Sequence, residues 1–157
     1  MIRDEIGPWL RERGFRKRRN RFRRLDRAGW QVVDFQASAW GSSDDVRFTI
    51  NLWVGVTELE IAEAGAQVEQ RVGALLPGGE DHWWPLDADT DTAALASELR
   101  AVLAERCLPW LDARRSLDRL MALARDAPDD FPRYALGRFQ MLLTRAGLDE
   151  FASEVPT

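Results

Sequence analysis

The chain has 157 residues, of which 45% are hydrophobic and 31% are charged, and these values exclude a disordered chain and predict a globular fold that needs no metal or disulfide. One cysteine, Cys107, excludes an internal disulfide and a cysteine-pair zinc site, and one histidine, His82, excludes a two-histidine catalytic pair. The net charge is −4, yet residues 1–27 hold eleven basic and four acidic residues, a local balance of +7. This asymmetry indicates either a polyanion-binding end or a basic segment neutralised by acidic helices of the same fold.

The first predicted element is a helix over residues 2–13, where apolar residues recur at helical spacing and Gly14 marks the end. Two short strands are predicted next, over residues 15–19 and 21–25, on either side of a turn near Asn20. Phe15 and Phe22 are expected to point inward from these strands.

Residues 30–40 and 46–56 form the clearest strand pair, because apolar and polar residues alternate with period two in both runs. The loop between them is short enough for an antiparallel hairpin. A fourth strand is predicted over residues 66–75, and residues 82–86 are predicted to form a loop with two tryptophans. The expected inward residues of the strand pair include Val33, Phe35, Ile50, Leu52 and Val54.

From Thr90 onward the apolar period becomes helical. Either Thr90 or Asp91 is expected to cap the first helix, Pro109 to break or kink it, and Ser116 to cap a second. A third helix is predicted over residues 131–146, and the tail after residue 151 is expected to fray.

The predicted class is α+β, with an antiparallel sheet of three to four strands packed with an N-terminal helix and C-terminal helices. A single domain is expected over residues 1–157, with its sheet-bearing part at 1–89 and its helical part at 90–150.

A short basic pattern gives the chain a family resemblance. Residues 10–22 read Leu-Arg-Glu-Arg-Gly-Phe-Arg-Lys-Arg-Arg-Asn-Arg-Phe, and residues 33–38, 48–52 and 83–86 follow before a leucine-rich helix. This order resembles the bacterial domain-of-unknown-function family 4304 over residues 2–112. The resemblance implies the same α+β fold and supplies no catalytic residues. Where the family pattern has glycine before the turn asparagine, this chain has Arg19.

The sequence has no phosphate-binding glycine loop and no nucleophile elbow. Cys107 is expected to be a small core residue, and His82 a loop residue beside Trp83. Three aspartates that alternate before the first long helix are expected to be solvated or to cap that helix, with a weak cation site as the alternative: Asp87, Asp89 and Asp91. We expect no catalytic residue, metal site or cofactor.

One surface is predicted to carry function: the sheet face opposite the helices, here called the outer face, which combines arginines, tryptophans and amide side chains. Neighbouring strands are expected to bring Gln36 or Ser38 within reach of Asn51 or Thr49. The alternatives are an ordinary outer face, with arginines lying over tryptophans, or a face covered by the later helices. The predicted ligand- or partner-binding residues are Arg16, Arg18, Gln36, Ser38, Arg47, Asn51 and Trp53.

The function predicted from this face is that of a small cytoplasmic binding or interaction module without enzymatic activity. Its expected partner is a protein or a small anionic ligand, because arginine forks suit carboxylates and phosphates. Binding of a nucleotide or single-stranded nucleic acid by the same face is the alternative, and a hydrolase is the third hypothesis. No membrane association is expected, because the first residues lack signal-peptide order and no stretch approaches the roughly 20 apolar residues of a span.

Overall fold

The computed structural model describes residues 2–39, 45–60, 65–131 and 135–156. The chain begins with a π-helical segment, Ile2–Ile6, and continues as helix α1 (Gly7–Glu12). Pro8 lies in the first turn of α1, a position where proline is common. Gly14, at a φ of 85°, follows the helix in the left-handed region, so the predicted N-terminal helix and its end are confirmed.

Six strands from the described residues form one antiparallel sheet, which confirms the α+β class and raises the strand count above the predicted three to four. Their order is β1-β2-β3-β4-β5, and β6 pairs with β4 beside that path. The strands are β1 (Arg16–Arg18), β2 (Arg21–Asp26), β3 (Gly29–Ala37), β4 (Asp45–Val56), β5 (Val68–Arg71) and β6 (Trp84–Asp87).

Strand β6 corrects the predicted loop at residues 82–86. It pairs antiparallel with the first part of β4, and Trp84 lies opposite Phe48 with ring centroids 5.8 Å apart. A four-residue strand that contains Pro85 has too short an alternation to be recognised. Proline is tolerated there because β6 lies beside the main path of the sheet, where a missing N–H need not interrupt a ladder.

The predicted fourth strand is correct only in its first half. Strand β5 ends at Arg71, and Val72–Leu75 forms a 3₁₀ turn instead of continuing the strand. Val68 and Val72 are both buried, so the turn keeps the second valine directed into the core.

The register of the central strands agrees with the prediction. Phe35 is 3% exposed and the next residue, Gln36, is exposed, so the apolar face of β3 points into the core. The other predicted inward residues are also buried: Val33, Ile50, Leu52 and Val54. Trp40 and the predicted loop residues 41–44 lie outside the described residues.

The helices of the second half begin with side-chain caps. Asp91 caps α2 (Thr92–Val102) by accepting 3.0 Å hydrogen bonds from the backbone N–H groups of Ala93 and Ala94, which decides between the two predicted caps. A π-helical segment, Leu103–Cys107, connects α2 to α3 (Leu108–Asp112). Ser116 caps α4 (Leu117–Asp126) as predicted.

The last helices are α5 (Ala135–Arg145), which ends before Gly147 at a φ of 75°, and α6 (Asp149–Glu154). The expectation of a frayed tail after residue 151 is wrong, because α6 continues to Glu154 and buries Ala152 and Val155. Among the described residues, none of the helices combines the length and the apolar character of a membrane span.

The chain divides into two compact units. The first comprises Met1–Arg24, Val32–Leu52 and Arg71–Pro109, and the second comprises Leu25–Gln31, Trp53–Gln70 and Trp110–Thr157. The core of the first unit contains a row of aromatic rings with successive centroids 5.8, 6.1 and 5.8 Å apart: Phe22, Phe35, Phe48 and Trp84.

Buried polar groups mark the second unit. The Gln31 amide donates a hydrogen bond to the carbonyl oxygen of Leu111. Arg114, 4% exposed, lies over the Trp110 ring and donates to the carbonyl oxygens of Trp110 and Asp130. Burial lowers the pKa of Arg114 to about 10. Hydrogen bonds to carbonyl groups and the flat contact with an indole are the means by which a buried guanidinium is accommodated.

Candidate functional site

The β1–β2 hairpin sorts its residues onto two faces. Arg16 lies opposite Arg23 and Arg18 lies opposite Arg21, while the Lys17–Phe22 pair lies on the other face, where Phe22 is fully buried. Because residues two apart on a strand share a face, these four arginines stand together on the outer face, as the sequence predicted. Such a group of like charges favours contact with an anion.

The turn of this hairpin contains a strained residue. Arg19 has a φ of 58°, in the left-handed region that side chains other than glycine avoid. This is the position at which the resemblance led us to expect glycine. The hairpin therefore keeps the turn geometry that glycine would adopt without strain, and it places one more guanidinium beside Arg18 and Arg21.

An open cleft of about 560 Å³ lies where β3 runs past this turn. The Phe35 backbone N–H donates to the Asn20 carbonyl oxygen at 3.0 Å, so Gln36 and Ala37 extend beyond the end of the hairpin. The cleft is lined by Arg18, Arg19, Asn20, Arg21, Asp34, Phe35, Gln36 and Ala37.

The charges that line the cleft do not cancel. Three arginines and one aspartate give it a formal charge of +2. Asp34 is 8% exposed and accepts a 3.2 Å hydrogen bond from Arg21 Nε. Arg18 and Arg19 are exposed, and within the described part of the chain neither side chain forms an ion pair or a hydrogen bond. The cleft thus offers two guanidinium groups to a ligand.

A chain of hydrogen bonds leads from the cleft across the outer face of the first unit. Asn51 Nδ2 donates to Gln36 Oε1 at 2.8 Å, which confirms the predicted cross-strand contact. Arg71 Nε in turn donates to Asn51 Oδ1 at 3.4 Å. Arg71 also holds both carboxylate oxygens of Asp81 at 3.1 and 3.0 Å, and it lies over the Trp83 ring.

Asp81 is the last residue of this series of hydrogen bonds, at the end away from the cleft. The Trp83 indole donates to Asp81 Oδ2 at 2.8 Å, and this bond, with those from Arg71, holds the pKa of the Asp81 carboxyl below its ordinary value. The carboxylate is therefore ionised at neutral pH, and it fixes the Arg71 guanidinium in place.

The predicted binding residues do not form one group. Arg18 and Gln36 line the cleft, and Asn51 contacts Gln36. Ser38 and Arg47 meet through a 2.7 Å backbone hydrogen bond, and Arg16 is exposed on β1. Trp53 is half-buried and belongs to the second unit.

Seven residues outside the predicted set line the cleft or support it: Arg19, Asn20, Arg21, Asp34, Phe35, Ala37 and Arg71. The period-two alternation of β2 and β3 is the sequence signal that could have identified Arg21 and Asp34.

Part of the outer face is covered. Trp30 is 9% exposed, its indole lies against Gly55, and its Nε1 donates to Glu60 Oε1 at 3.0 Å. Val32 on the same strand is 5% exposed. Trp30 therefore offers no free ring on which a base or another planar group could stack.

The other residues considered for chemistry have structural environments. Burial raises the pKa of the Cys107 thiol to about 12, which agrees with its predicted core role. His82 is a loop residue, as predicted, and its ring lies edge-on to Trp84, with centroids 4.4 Å apart. In the parts of the chain that the structure describes, no group of acidic, cysteine or histidine residues could hold a metal ion.

The acidic residues before α2, Asp87, Asp89 and Asp91, take part in local hydrogen bonds. Asp87 accepts hydrogen bonds from the Thr90 hydroxyl at 2.7 Å and the Asp89 backbone N–H at 3.1 Å, while Asp91 caps α2. These residues therefore form a turn and a cap, in agreement with the predicted capping role.

In a comparison with protein families, residues 6–113 match a family described as a domain of unknown function, DUF4304. Neither the curated proteins nor the solved structures contain a match to the chain.

Proposed function

We propose a function from the cleft itself, because the chain belongs to the DUF4304 family and the function of that family is unknown. The proposed function is binding, without catalysis, of a small anionic ligand in the cleft beside the β1–β2 turn. The observation that carries the proposal is that Arg18 and Arg19 line an open cleft and have no ion-pair partner among the described residues.

The size and charge of the cleft support this proposal. Its volume of about 560 Å³ lies within the range of small-molecule sites. Guanidinium groups present planar forks of N–H donors that match carboxylate and phosphate oxygens, and Arg19 holds its fork in a turn fixed at both ends by strands. The Arg21–Asp34 pair neutralises the one carboxylate of the lining, so it does not compete for the other two arginines.

The side chains of the lining favour binding over catalysis. They are arginine, asparagine, aspartate, phenylalanine, glutamine and alanine, and aspartate is the one type among them that serves as a covalent nucleophile. The one carboxylate is held by Arg21 and is buried, which disfavours a role as a general base. These features support a non-enzymatic binding module over the hydrolase hypothesis.

A second candidate uses the same face for a nucleotide or single-stranded nucleic acid. The register of β1 and β2, which aligns Arg16, Arg18, Arg21 and Arg23, favours it because successive phosphates could follow a row of guanidinium groups. The burial of Trp30 disfavours this candidate, because sites for single-stranded nucleic acid combine positive charge with exposed aromatic rings.

The test is a thermal-shift titration with sodium citrate, inorganic phosphate and a twelve-nucleotide oligothymidine. We compare the wild type, a double variant Arg18→Ser and Arg19→Ser, and a control that removes the same charge elsewhere in the first unit, Arg11→Ser and Arg106→Ser. The proposal expects ligand-dependent stabilisation in the wild type and the control, and its loss in the cleft variant.

The outcomes separate the two candidates. Stabilisation by citrate or phosphate that depends on Arg18 and Arg19 supports the small-anion proposal. Binding of the oligonucleotide alone, with affinity that falls steeply as salt rises, supports the second candidate. Equal responses of the cleft variant and the control to every probe would contradict both.

A further inference from the structure

We infer that Gln36 directs the NH₂ end of its amide into the cleft, and that Arg71 fixes this orientation through Asn51. The site therefore binds an oxyanion without a hydroxyl, such as sulfate, at least as tightly as one that keeps a hydroxyl, such as hydrogen phosphate. This inference rests on the proposed function and names the chemistry of its ligand. It assigns Asn51 and Arg71 as positioning residues, because neither lines the cleft itself.

The orientation follows from what each group can donate. An arginine side chain has five N–H donors and no acceptor, whereas an asparagine or glutamine amide has one oxygen end and one NH₂ end. Arg71 Nε donates to Asn51 Oδ1, so the oxygen end of Asn51 must face Arg71. The NH₂ end of Asn51 then faces Gln36 and can only meet an oxygen, which is the observed contact with Gln36 Oε1.

This order leaves the NH₂ end of Gln36 for the cleft. Gln36 lines the cleft, and in the described residues its Nε2 group has no hydrogen-bond partner. The amide therefore adds two neutral donors to the guanidinium donors of Arg18 and Arg19. Asp34 is the one acidic acceptor of the lining, and it is engaged by Arg21.

The donors of Arg18, Arg19 and Gln36 give the part of the cleft that they line a definite selectivity. Sulfate has only acceptor oxygens, whereas hydrogen phosphate keeps one hydroxyl that needs an acceptor. An anion held by these three side chains finds a donor for each sulfate oxygen, but none of the three offers an acceptor to a phosphate hydroxyl. Sulfate should therefore bind at least as tightly as hydrogen phosphate, although the two ions carry nearly the same charge.

The experiment uses a substitution at position 51 to turn the Gln36 amide around. Asn51→Asp replaces the NH₂ end by a carboxylate oxygen, so Gln36 must turn its own NH₂ toward position 51 and its oxygen toward the cleft. We measure dissociation constants for sodium sulfate and sodium phosphate by calorimetry near pH 7.5, where both ions are mainly divalent. The added negative charge weakens both anions together, so the ratio of the two constants isolates the effect of the hydrogen bond.

In the wild type, sulfate is expected to bind at least as tightly as phosphate. In Asn51→Asp the ratio should move about tenfold toward phosphate, since one hydrogen bond gained or lost corresponds to roughly that factor. Arg71→Met, which removes the donor that fixes Asn51, should move the ratio in the same direction by less. It serves as the second variant if Asn51→Asp does not fold.

Each outcome has a separate meaning. If the wild type binds neither anion, the proposed function fails and the inference fails with it. If the wild type binds both anions through Arg18 and Arg19 but the ratio is the same in both variants, the proposed function stands and the orientation of Gln36 is overturned. Phosphate preference in the wild type would also overturn it.

Discussion

The indole of Trp30 lies directly against the backbone of Gly55, so that a Cβ atom at position 55 would collide with Cε2 and Nε1 of the ring. Trp30 is on β3 and Gly55 is on β4, and the missing side chain provides the space that the ring fills. The ring is held in that space by its hydrogen bond to Glu60.

Gly55→Ala should therefore destabilise the protein. We expect a loss of about 2–3 kcal/mol in the free energy of unfolding, because an added methyl group cannot be accommodated beside backbone and a fixed ring. Urea unfolding followed by tryptophan fluorescence measures it. Adding Trp30→Leu should recover part of the loss, and strictly additive effects would contradict the contact.

Arg19→Gly should have opposite effects on stability and on binding. Glycine adopts a φ of 58° without strain, so we expect a gain of about 0.5–1 kcal/mol in stability. The same change removes a guanidinium from the cleft and should weaken anion binding. Arg16→Gly is the matched control, because Arg16 is in a strand and glycine there should reduce stability. Reduced stability in Arg19→Gly would contradict the strain.

Thr49→Val should stabilise the fold. Thr49 is fully buried and its hydroxyl has no hydrogen-bond partner in the structure, so replacing the hydroxyl by a methyl group removes a desolvated polar atom at nearly the same volume. We expect a gain of about 1 kcal/mol, measured by chemical unfolding. Thr57→Val is the control, since the Thr57 hydroxyl donates to the Arg27 carbonyl oxygen at 3.3 Å and its loss should not stabilise.

Asp81 should contribute a stability term that depends on pH. The Trp83 and Arg71 hydrogen bonds lower its pKa in the folded state, so its contribution is present above the ordinary carboxyl pKa and is lost as pH falls through the lowered value. The difference in melting temperature between the wild type and Asp81→Asn should be largest near neutral pH and should disappear at strongly acidic pH. A difference that stays constant down to strongly acidic pH would contradict this role.

Cys107 should not react with thiol reagents in the native protein. Its thiol is fully buried and its pKa is about 12, so almost no thiolate exists at neutral pH. Labelling with a disulfide reagent should be very slow in buffer and rapid in denaturant. Fast labelling of folded protein would show that the helical segment around Cys107 opens readily.

The sequence allowed the central strands to be predicted because each places a series of apolar residues on one face of the sheet. Phe35 and Ile50 had to point inward and Gln36 and Asn51 outward, and period-two alternation over long runs makes that register readable. The contact between Gln36 and Asn51 followed from the same alternation on two neighbouring strands.

The cleft and β6 could not be predicted from local sequence patterns. The cleft exists because β2 pairing ends at Asn20 while β3 continues to Ala37, and this offset is set by the packing of whole strands. Trp84 joins β4 through its pairing with Phe48, which four residues with a proline could not reveal. Arg71 reaches Asn51 only after β5 is placed beside β4.

The position of β1 at the end of the strand order has a consequence for self-association. An outermost strand leaves backbone groups open, and a second copy could add to them to extend the sheet. All three residues of β1 are basic and exposed, so two such edges brought together would place like charges side by side. Arg18, which is proposed to attract a ligand, therefore also adds to the repulsion between two such edges. Variants that neutralise Arg18 lower this barrier to aggregation, and losses of binding in such variants must be measured on protein shown to be monodisperse.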